Sequence, residues 1–565
     1  MYFCGIKFPN RLRRISLYIL LMLLLEGCAK IVMPTGGEKD ATPPQLVGEV
    51  PASGSVRMRN PVVKITFDEY FTLNNPTENI LISPPMEQEP NYSIQGKTLV
   101  IKFKDTLKEN ATYNMVFSNC IQDFHENNKL GYYHYSFSTG DEIDSFSLAG
   151  SVIDAQTLKP CDNMFVFLYD QDIDSLPMTS KPSYLTKTLS DGSFHFHNIR
   201  NGDYKIFALK DLNGNLLYDL PNETIAFANR TFPAFYEAPK DTSDQTAPPQ
   251  DTMPKVKLSA FLIQDTVPVL LRYENPAAGI YIFPYKAPVE EFSTVAMQHD
   301  VPHFETWNAK RDTVTWHLKE ALTDTVSYIF TTDGRTDTVQ LTPYKSKKVQ
   351  PRGNKNAPVE RLSVGVLNQG HRYKPLTLQF GYPIKPGDSI TVTVCTHQKS
   401  GNDTTFYKIS VPDSFITRLP LPIVFEDKKN YTVTIPDSMF FGYNGLCNDS
   451  IKASFGTQSE KDYGSLSIEY MVPGSGFQYI AQLWSGNQLQ QEDLLTASRT
   501  IAYKHLLPGN YSIFVIEDRN RNGRWDAGDY HNMRQPENIY QYPKAISIRA
   551  YWDNVETFEI PVSQP

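Results

Sequence analysis

An internal repeat constrains the fold of this chain more than any other feature of its sequence. The segment Gly202–Phe207 reads GDYKIF, and Gly509–Phe514 reads GNYSIF. Acidic and amide residues follow each segment at the same four offsets: Asp211, Asn213, Asn215 and Asp219 in the first copy, and Asp518, Asn520, Asn522 and Asp526 in the second. A pattern that returns without a gap indicates one structural unit used twice. The sequence therefore predicts repeated domains.

Many segments alternate apolar and polar residues, which predicts β-strands. Such runs include Val62–Phe67, Thr98–Phe103 and Thr313–Leu318. The 32 Tyr, 32 Phe, 40 Pro and 31 Gly residues favour short strands joined by turns over long helices. A chain of 565 residues exceeds the usual size of one domain, so we expect an all-β protein with several domains.

The alternating runs between residues 43 and 140 are short and separated by turn residues, which predicts a β-sandwich. This stretch also resembles the bacterial Ig-like domains of S-layer and cell-surface proteins. The residues that carry the resemblance are Pro43-Pro44, Ile65–Glu69, Leu107–Tyr113 and Phe137–Gly140. The resemblance implies an Ig-like domain at 43–140.

Residues 145–265 resemble the small prealbumin-like sandwich of carboxypeptidase regulatory regions, in which D-G-x-F and G-x-Y begin consecutive strands. These motifs are Asp191–Phe194 and Gly202–Tyr204 here, and we expect the stretch 237–254, rich in Pro, Thr and Asp, to be an exposed loop. The repeat predicts a second prealbumin-like domain at 462–565. The resemblance implies non-catalytic spacer domains.

The end of the Ig-like segment also has an echo later in the chain. The matching residues, with equal separations, are Tyr113, Phe137 and Thr139 in the first copy and Tyr431, Phe455 and Thr457 in the second. They predict a second Ig-like domain at 356–458, and further alternating runs predict one more sandwich at 266–350. We therefore expect tandem Ig-like and prealbumin-like β-sandwiches in an elongated array.

The N-terminus reads as a lipoprotein signal peptide. Residues 1–27 combine a basic stretch with the apolar run Ile15–Leu25, which is shorter than the ~20 residues that span a bilayer. The ending Leu25–Cys28 resembles the lipobox of bacterial lipoproteins, which implies cleavage before Cys28 and acyl chains, palmitate among them, on this cysteine. Residues 28–42 read as a polar tether. An uncleaved anchor helix is the alternative.

The second copy of the Asp/Asn segment fits the EF-hand loop pattern, with Gly523 at the position of the sharp turn. The residues at the ligand positions are Asp518, Asn520, Asn522, Arg524 (through its backbone carbonyl), Asp526 and Asp529. A hard cation takes six to eight oxygen ligands, and alternate loop residues can direct them at one point. We therefore predict a calcium site that stiffens this loop.

The first copy is the weaker calcium candidate because it lacks glycine at the sixth position, and Asn222 or Glu223 would supply its last ligand. Its other predicted ligands are Asp211, Asn213, Asn215 and Asp219. For both loops the alternative is an Asx-rich hairpin in which the side chains cap their own backbone without a metal.

Cysteine usage gives little framework. Of the six cysteines, Cys395 and Cys447 fall in one predicted domain and are the candidates for a disulfide in an oxidising compartment. Unpaired thiols are the alternative. The sequence contains no C-x-x-C motif or Cys/His cluster that would indicate zinc.

Charge and motif content exclude several classes of function. The net charge of −8 and the pI near 5.8 argue against a nucleic-acid partner, which requires a clustered basic surface. The sequence contains no H-E-x-x-H motif, no G-x-S-x-G motif and no Gly-rich phosphate loop. We therefore do not expect an enzyme.

As a whole, the chain resembles the Ig-like-domain lipoproteins of Bacteroidota. The resemblance implies an outer-membrane lipoprotein, and we favour the cell surface over the periplasmic face. We expect a non-enzymatic structural and protein-docking module, for example an accessory subunit of an outer-membrane assembly or secretion machine. Its partners would be the outer membrane, through the lipid, and another envelope protein. The alternative is a surface glycan-binding lipoprotein.

Overall fold

The computed structural model describes residues 40–59, 62–236, 255–264, 267–308, 310–345, 361–387, 389–398, 401–412, 416–474 and 476–562. The predicted leader, Cys28, most of the tether and the loop 237–254 lie outside the described residues. Strands dominate and form sandwiches, which confirms the all-β prediction. None of the described helices is long or apolar enough to cross a membrane.

The described residues form two compact units. One unit contains the described chain up to Phe146 together with His197–Arg200, and the other contains Ser147–Phe196 and the described chain from Asn201 onward. The sheets divide by sequence into domain 1 (46–138), domain 2 (146–262), domain 3 (274–341), domain 4 (364–456) and domain 5 (464–559).

Domain 1 is a sandwich of short antiparallel strands. They are β1 (Leu46–Val50), β2 (Val62–Phe67), β3 (Phe71–Leu73), β4 (Ile80–Ser83), β5 (Asn91–Gln95), β6 (Thr98–Lys102), β7 (Thr112–Ser118), β8 (Ile121–Asp123) and β9 (Tyr132–Ser138), with the helix α1 (Pro76–Asn79) before β4. The sheet orders are β1-β2-β6-β5, β4-β7-β9 and β3-β8. In β2, Val63, Ile65 and Phe67 are buried and Lys64 is exposed, because alternate residues of a strand face the core.

Domain 2 contains the first copy of the repeat. Its strands are β10 (Phe146–Asp154), β11 (Phe165–Tyr169), β12 (Tyr184–Lys187), β13 (Ser193–Ile199), β14 (Asp203–Lys210), β15 (Thr224–Phe227), β16 (Phe232–Pro233), β17 (Phe235–Tyr236) and β18 (Val256–Leu262), with the helix α2 (Leu176–Thr179) after β11. The main sheet has the order β12-β11-β14-β15-β18-β10-β13. The GDYKIF segment begins β14, which is buried along most of its length.

Domain 3 packs two sheets around Trp316, which has no exposed surface. Its strands are β19 (Glu274–Ala277), β20 (Ile280–Pro284), β21 (Phe292–Ala296), β22 (His303–Trp307), β23 (Thr313–Leu318), β24 (Val326–Thr332) and β25 (Arg335–Leu341). The sheet orders are β19-β20-β23-β22 and β21-β24-β25. Phe283, Tyr328 and Phe330 surround the indole with ring centroids 5.0–5.5 Å away.

Domain 4 again consists of two antiparallel sheets. Its strands are β26 (Val364–Leu367), β27 (Thr377–Ile384), β28 (Ile390–Gln398), β29 (Gly401–Ile409), β30 (Ile416–Pro420), β31 (Asn430–Ile435) and β32 (Ile451–Gly456). The sheet orders are β26-β27-β30 and β29-β28-β31-β32. Their facing apolar residues, including Leu378, Val392 and Ile435, form one buried core.

A corner of tyrosine and threonine occurs in both domain 1 and domain 4. In each, the tyrosine hydroxyl accepts one backbone N–H and the threonine hydroxyl accepts another. The bonds are Lys108 N to Tyr113 (2.8 Å) and Ala111 N to Thr139 (3.0 Å) in domain 1, and Glu426 N to Tyr431 (3.0 Å) and Lys429 N to Thr457 (3.0 Å) in domain 4. The sequence echo of the Ig-like segment thus corresponds to the same local structure.

Domain 5 begins after a 3-10 turn at Glu460–Asp462 and contains the second copy of the repeat. Its strands are β33 (Gly464–Met471), β34 (Gln478–Ser485), β35 (Gln488–Leu495), β36 (Arg499–Leu506), β37 (Gly509–Asp518), β38 (Ile539–Gln541), β39 (Ile546–Ile548) and β40 (Asp553–Glu559). The sheet orders are β36-β33-β40 and β35-β34-β37-β38, with β39 also on β37.

The strand connections of domains 2 and 5 are equivalent. The order β35-β34-β37-β38 matches β12-β11-β14-β15, and β36-β33-β40 matches β13-β10-β18. In both domains the first and last strands pair in parallel: Gly150–Asp154 of β10 lie beside Val256–Ala260 of β18, and β33 lies beside β40. The internal repeat of the sequence is therefore a repeat of topology.

Candidate functional site

The Asp/Asn loop of domain 5 starts at Asp518, the last residue of β37, which is fully buried. Its two carboxylate oxygens accept the backbone N–H groups of Asn522 (3.1 Å) and Gly523 (2.9 Å). Gly523 has φ +76°, a left-handed conformation that glycine adopts without strain. Asp518 thereby folds the loop back onto the end of the strand.

The loop brings four predicted calcium ligands together. The side-chain amides of Asn520 and Asn522 both donate to Asp526 Oδ2, the latter at 2.7 Å. The amide oxygens of the same two residues accept backbone N–H groups of the loop. This is the hydrogen bonding of an Asx-rich hairpin, and it also gathers the oxygen-bearing side chains at one point.

Of the two remaining predicted ligands, Arg524 would act through its backbone carbonyl, and the side chain of Asp529 has another partner. The guanidinium of Arg524 lies 3.5 Å from Glu290 and 3.7 Å from Asp526. The carboxylate of Asp529 accepts the side-chain amide of Asn532 at 2.7 Å. Within the described residues, no three His, Cys, Asp or Glu side chains are grouped so that they could hold a metal ion, so any cation here would rely on asparagine oxygens.

The carboxylate that closes the loop is Glu537, which the sequence pattern did not indicate. It is 6% exposed, and it accepts the backbone N–H groups of Arg519 (2.7 Å) and Asp526 (3.0 Å). Burial raises the pKa of Glu537 to about 7, with a further contribution from the neighbouring Asp526 and Asp518. Glu537 therefore changes charge near neutral pH.

The loop of domain 2 has the same framework. Its predicted ligands are joined by bonds from Asn213 and Asn215 to Asp219 (3.0 and 2.7 Å) and from Gly214 N and Leu216 N to Asp211 (2.7 and 2.8 Å). Glu223, rather than Asn222, closes it. This fully buried carboxylate accepts N–H groups from Leu212, Asp219 and Leu220 at 3.1–3.2 Å.

The left-handed residues show why the first loop tolerates the missing glycine. In domain 2, Gly214 and Leu216 have φ of +75° and +61°. In domain 5, the equivalent pair is Arg521 and Gly523, with φ of +61° and +76°. Each loop thus uses one glycine and one strained residue at the same two positions, and only their order differs.

The loops differ between the last aspartate and the closing glutamate. Four positions separate Asp219 from Glu223, whereas eleven separate Asp526 from Glu537. The seven additional residues belong to a hairpin, 527–536, which we call the docking arm. Its base is held by reciprocal backbone bonds between Asp529 and Arg534, both at 2.8 Å.

The docking arm lies beside a cleft of about 1240 Å³ within the second unit. Residues from domains 2, 3 and 5 line it, among them Tyr218, Glu290, Arg311, Asp333, Arg521 and Arg524. Both charges are present, and several of these groups are already paired: Arg311 donates to the Val289 carbonyl at 2.9 Å. The cleft suits a polar ligand of mixed charge better than an apolar one.

The predicted disulfide is not formed. The structure has free thiols at Cys120, Cys161, Cys395 and Cys447. Cys395 lies within β28 between its partner strands β29 and β31, whereas Cys447 is held in a turn, where its sulfur accepts from Arg361 at 3.0 Å. The hydrogen bond from the Ser438 hydroxyl lowers the pKa of the Cys447 thiol, and the contact with Arg361 lowers it further. The alternative of unpaired thiols is the one observed.

Comparison with known proteins gives a family match to one part of the chain. The family model of the bacterial Ig-like domain matches residues 40–139, which confirms the Ig-like interpretation of domain 1. No curated protein gives a significant match to the chain.

Several solved structures match large parts of this chain. They include domains 1–6 of the surface layer protein SbsC (9% identity, TM-score 0.14, 74% of this chain and 67% of that chain), the major pilin subunit BcpA of Bacillus cereus (9%, 0.16, 73% and 99%) and an alpha-2-macroglobulin segment of Escherichia coli (10%, 0.19, 49% and 96%). At these identities and TM-scores, the likenesses carry no argument about function.

Proposed function

We propose that this chain is a non-enzymatic, lipid-anchored protein of the bacterial cell envelope that acts as a structural and protein-docking module. The observation that carries the proposal is the bacterial Ig-like match at residues 40–139, which begins soon after the predicted lipid site at Cys28. The repeated sandwiches of domains 2 and 5 support a structural role. We further propose that the lipid holds the chain on the outer membrane. There the chain would serve as an accessory subunit of an assembly or secretion machine.

The lipid anchor is tested by metabolic labelling with a palmitate analogue. The wild-type chain should incorporate the label and partition into detergent-solubilised outer membranes, whereas Cys28→Ser should lose both properties. Cys4→Ser, which alters a cysteine inside the predicted leader, is the matched control and should label normally. An unlabelled wild type that retains its leader by mass spectrometry would contradict the anchor.

The docking role is tested by affinity purification from gently solubilised outer membranes. We expect a defined envelope protein to co-elute with the wild-type chain in stoichiometric amount. A chain that elutes alone under several mild detergents would argue against the docking role and would leave the anchor result unaffected.

We also propose that Ca²⁺ stiffens the domain 5 loop. The support is the convergence of Asn520, Asn522 and Asp526 side chains beside the buried Asp518. Calorimetric titration of chelator-treated protein with Ca²⁺ should show one binding site, and Asp526→Asn should lower its affinity. The variant Asp219→Asn tests in the same way whether the domain 2 loop binds Ca²⁺. Absence of Ca²⁺ binding would contradict the metal site. Both loops would then be Asx-rich hairpins held by their own hydrogen bonds without a metal.

Glycan binding remains the second candidate because two adjacent aromatic side chains are exposed on domain 5. Tyr551 and Trp552 are 73% and 57% exposed, and the Arg549 guanidinium lies 5.4 Å from the Trp552 ring. A glycan array with the wild-type chain should give hits that Trp552→Ala removes. An array without hits would exclude this function.

A further inference from the structure

The docking arm of domain 5 reaches into domain 2 of the same unit. Tyr530, at the tip of the arm, is 2% exposed, and three rings of domain 2 lie around it. Those rings are Phe207, Tyr218 and Phe227, with centroids 6.1, 5.3 and 5.6 Å from that of Tyr530 and large interplanar angles. Edge-to-face packing of this kind is favourable for aromatic pairs. We call these three rings, with Phe261, the aromatic socket.

Polar contacts fix the arm in the socket. The Tyr530 hydroxyl donates to the backbone carbonyl of Asp174. The side-chain amide of Gln535 donates to the Phe227 carbonyl at 2.9 Å and to Asn229 Oδ1 at 3.1 Å. A buried tyrosine whose hydroxyl also finds an acceptor is typical of a specific contact.

The backbone of the arm fits closely against the socket. A Cβ atom added at Gly528 would lie 2.4–2.7 Å from three carbons of the Phe261 ring. Ala527, the residue before it, is 5% exposed. Only glycine therefore permits this approach of the two domains.

The floor of the socket is itself organised by a buried charge. Lys205 of β14 is 4% exposed, and its ammonium lies 3.0 Å from Asp172 and 2.6 Å from Asp174. These contacts hold the loop whose carbonyl receives Tyr530. In the GNYSIF copy, Ser512 stands where Lys205 stands in GDYKIF, so only the domain with the socket has this lysine.

Domain 5 does not need the arm for its own fold. Its buried apolar core contains residues of its two sheets and none of the arm. The sister loop closes on Glu223 without any arm, with the same framework of bonds. A linear series of domains does not predict the contact either, since Asp174 and Tyr530 are 356 residues apart.

We propose that the docking arm holds domain 5 on domain 2 through the aromatic socket, so that the two domains move as one body in solution and keep the walls of the charged cleft in place. The partner of the socket is thus a segment of the same chain. This inference does not depend on the lipid anchor or on a membrane partner.

Hydrogen–deuterium exchange of the full-length protein tests the proposal. Tyr530→Ala should raise exchange rates in peptides that cover 170–180 and 224–230 of domain 2 by at least about tenfold, because the opening of the contact exposes them. Exchange in the domain 5 strands β33 and β40 should stay at wild-type rates, since they lie in a core that excludes the arm. Unchanged protection of both domain 2 peptides would overturn the proposal.

Matched variants separate docking from folding. Tyr551→Ala removes an exposed tyrosine of domain 5, and Gly474→Ala adds a Cβ with nothing within 4 Å. Both should leave the domain 2 peptides protected, whereas Gly528→Ala should expose them. Adding Phe261→Leu to Gly528→Ala removes ring atoms that the new methyl group would meet, so protection should partly return. Additive loosening in the double variant would contradict the contact.

Discussion

The Asp/Asn loops of domains 2 and 5 share a framework of hydrogen bonds and differ in the length of the segment before the closing glutamate. Each loop is held by a first aspartate, two asparagines that converge on a second aspartate, and a buried glutamate that accepts backbone N–H groups. In domain 2 the glutamate follows four positions after the second aspartate, whereas in domain 5 the docking arm lies between these two residues. The Asp/Asn loop of domain 5 thus keeps its hydrogen bonds although the docking arm is inserted before its closing glutamate.

The largest expected effect concerns Glu223, because three backbone N–H groups depend on it in a fully buried position. Glu223→Ala should lower the free energy of unfolding of domain 2 by about 3 kcal/mol. Glu223→Gln keeps one acceptor oxygen and should cost roughly half as much. Urea titration followed by domain-resolved hydrogen exchange measures both. Equal effects of the two variants would show that the backbone bonds do not set the stability.

The second expected effect is a pH dependence specific to domain 5. The pKa of Glu537 is about 7 in the folded protein against an ordinary value of 4.5, because burial disfavours the charged carboxylate. Its protonation therefore stabilises the folded domain, fully below pH 4.5, and this contribution is lost as the pH rises through about 7. The change is on the order of 1–3 kcal/mol.

Urea titrations in chelator-treated buffer at several pH values check this prediction. Glu537→Gln cannot titrate, so the difference between wild type and variant isolates the contribution of this carboxyl group. A difference that does not vary between pH 4.5 and 8 would contradict the raised pKa.

A smaller effect should follow from giving the socket the residue of its sister domain. Lys205→Ser removes the ammonium that Asp172 and Asp174 share. Because these carboxylates are partly exposed, we expect docking to weaken by only about 1–2 kcal/mol. Exchange rates in the 170–180 peptide measure it, with Lys210→Ser, at an exposed position of the same strand, as the control. Equal rates in both variants would show that Lys205 does not organise the socket.

The smallest expected effect isolates one hydrogen bond of the arm. Tyr530→Phe keeps the ring in the socket and removes the donor to the Asp174 carbonyl. Docking should weaken by about 1 kcal/mol, seen as a modest rise in exchange of the same peptide. Tyr551→Phe, at an exposed tyrosine, should have no effect. A loss as large as that of Tyr530→Ala would mean that the hydroxyl, rather than the ring, dominates the contact.

Local patterns in the sequence predicted the strands well. Val62–Phe67 and Thr313–Leu318 form β2 and β23 with the bounds expected from their alternation. This works because a strand with one buried face must place apolar residues at every second position. The repeat was equally informative, since GDYKIF and GNYSIF begin equivalent strands of equivalent sheets.

The sequence did not reveal the partners of side chains that meet across insertions or across domains. Asp529 stands at the twelfth position of the EF-hand pattern, yet the arm carries it away from the loop and Glu537 closes the loop instead. A pattern of fixed spacing cannot indicate Glu537, because the docking arm is inserted between this residue and the rest of the loop. Tyr530 showed no sequence signal of docking, because its socket is assembled from distant strands.

The parallel pairing of first and last strands has a mechanical consequence. In domains 2 and 5, the chain enters at one end of the pair β10–β18 or β33–β40 and leaves at the opposite end. Tension along the chain would act parallel to these strands and strain their interstrand bonds all at once, in shear, instead of opening them one after another. Each of these two domains is therefore arranged to resist tension applied along the chain.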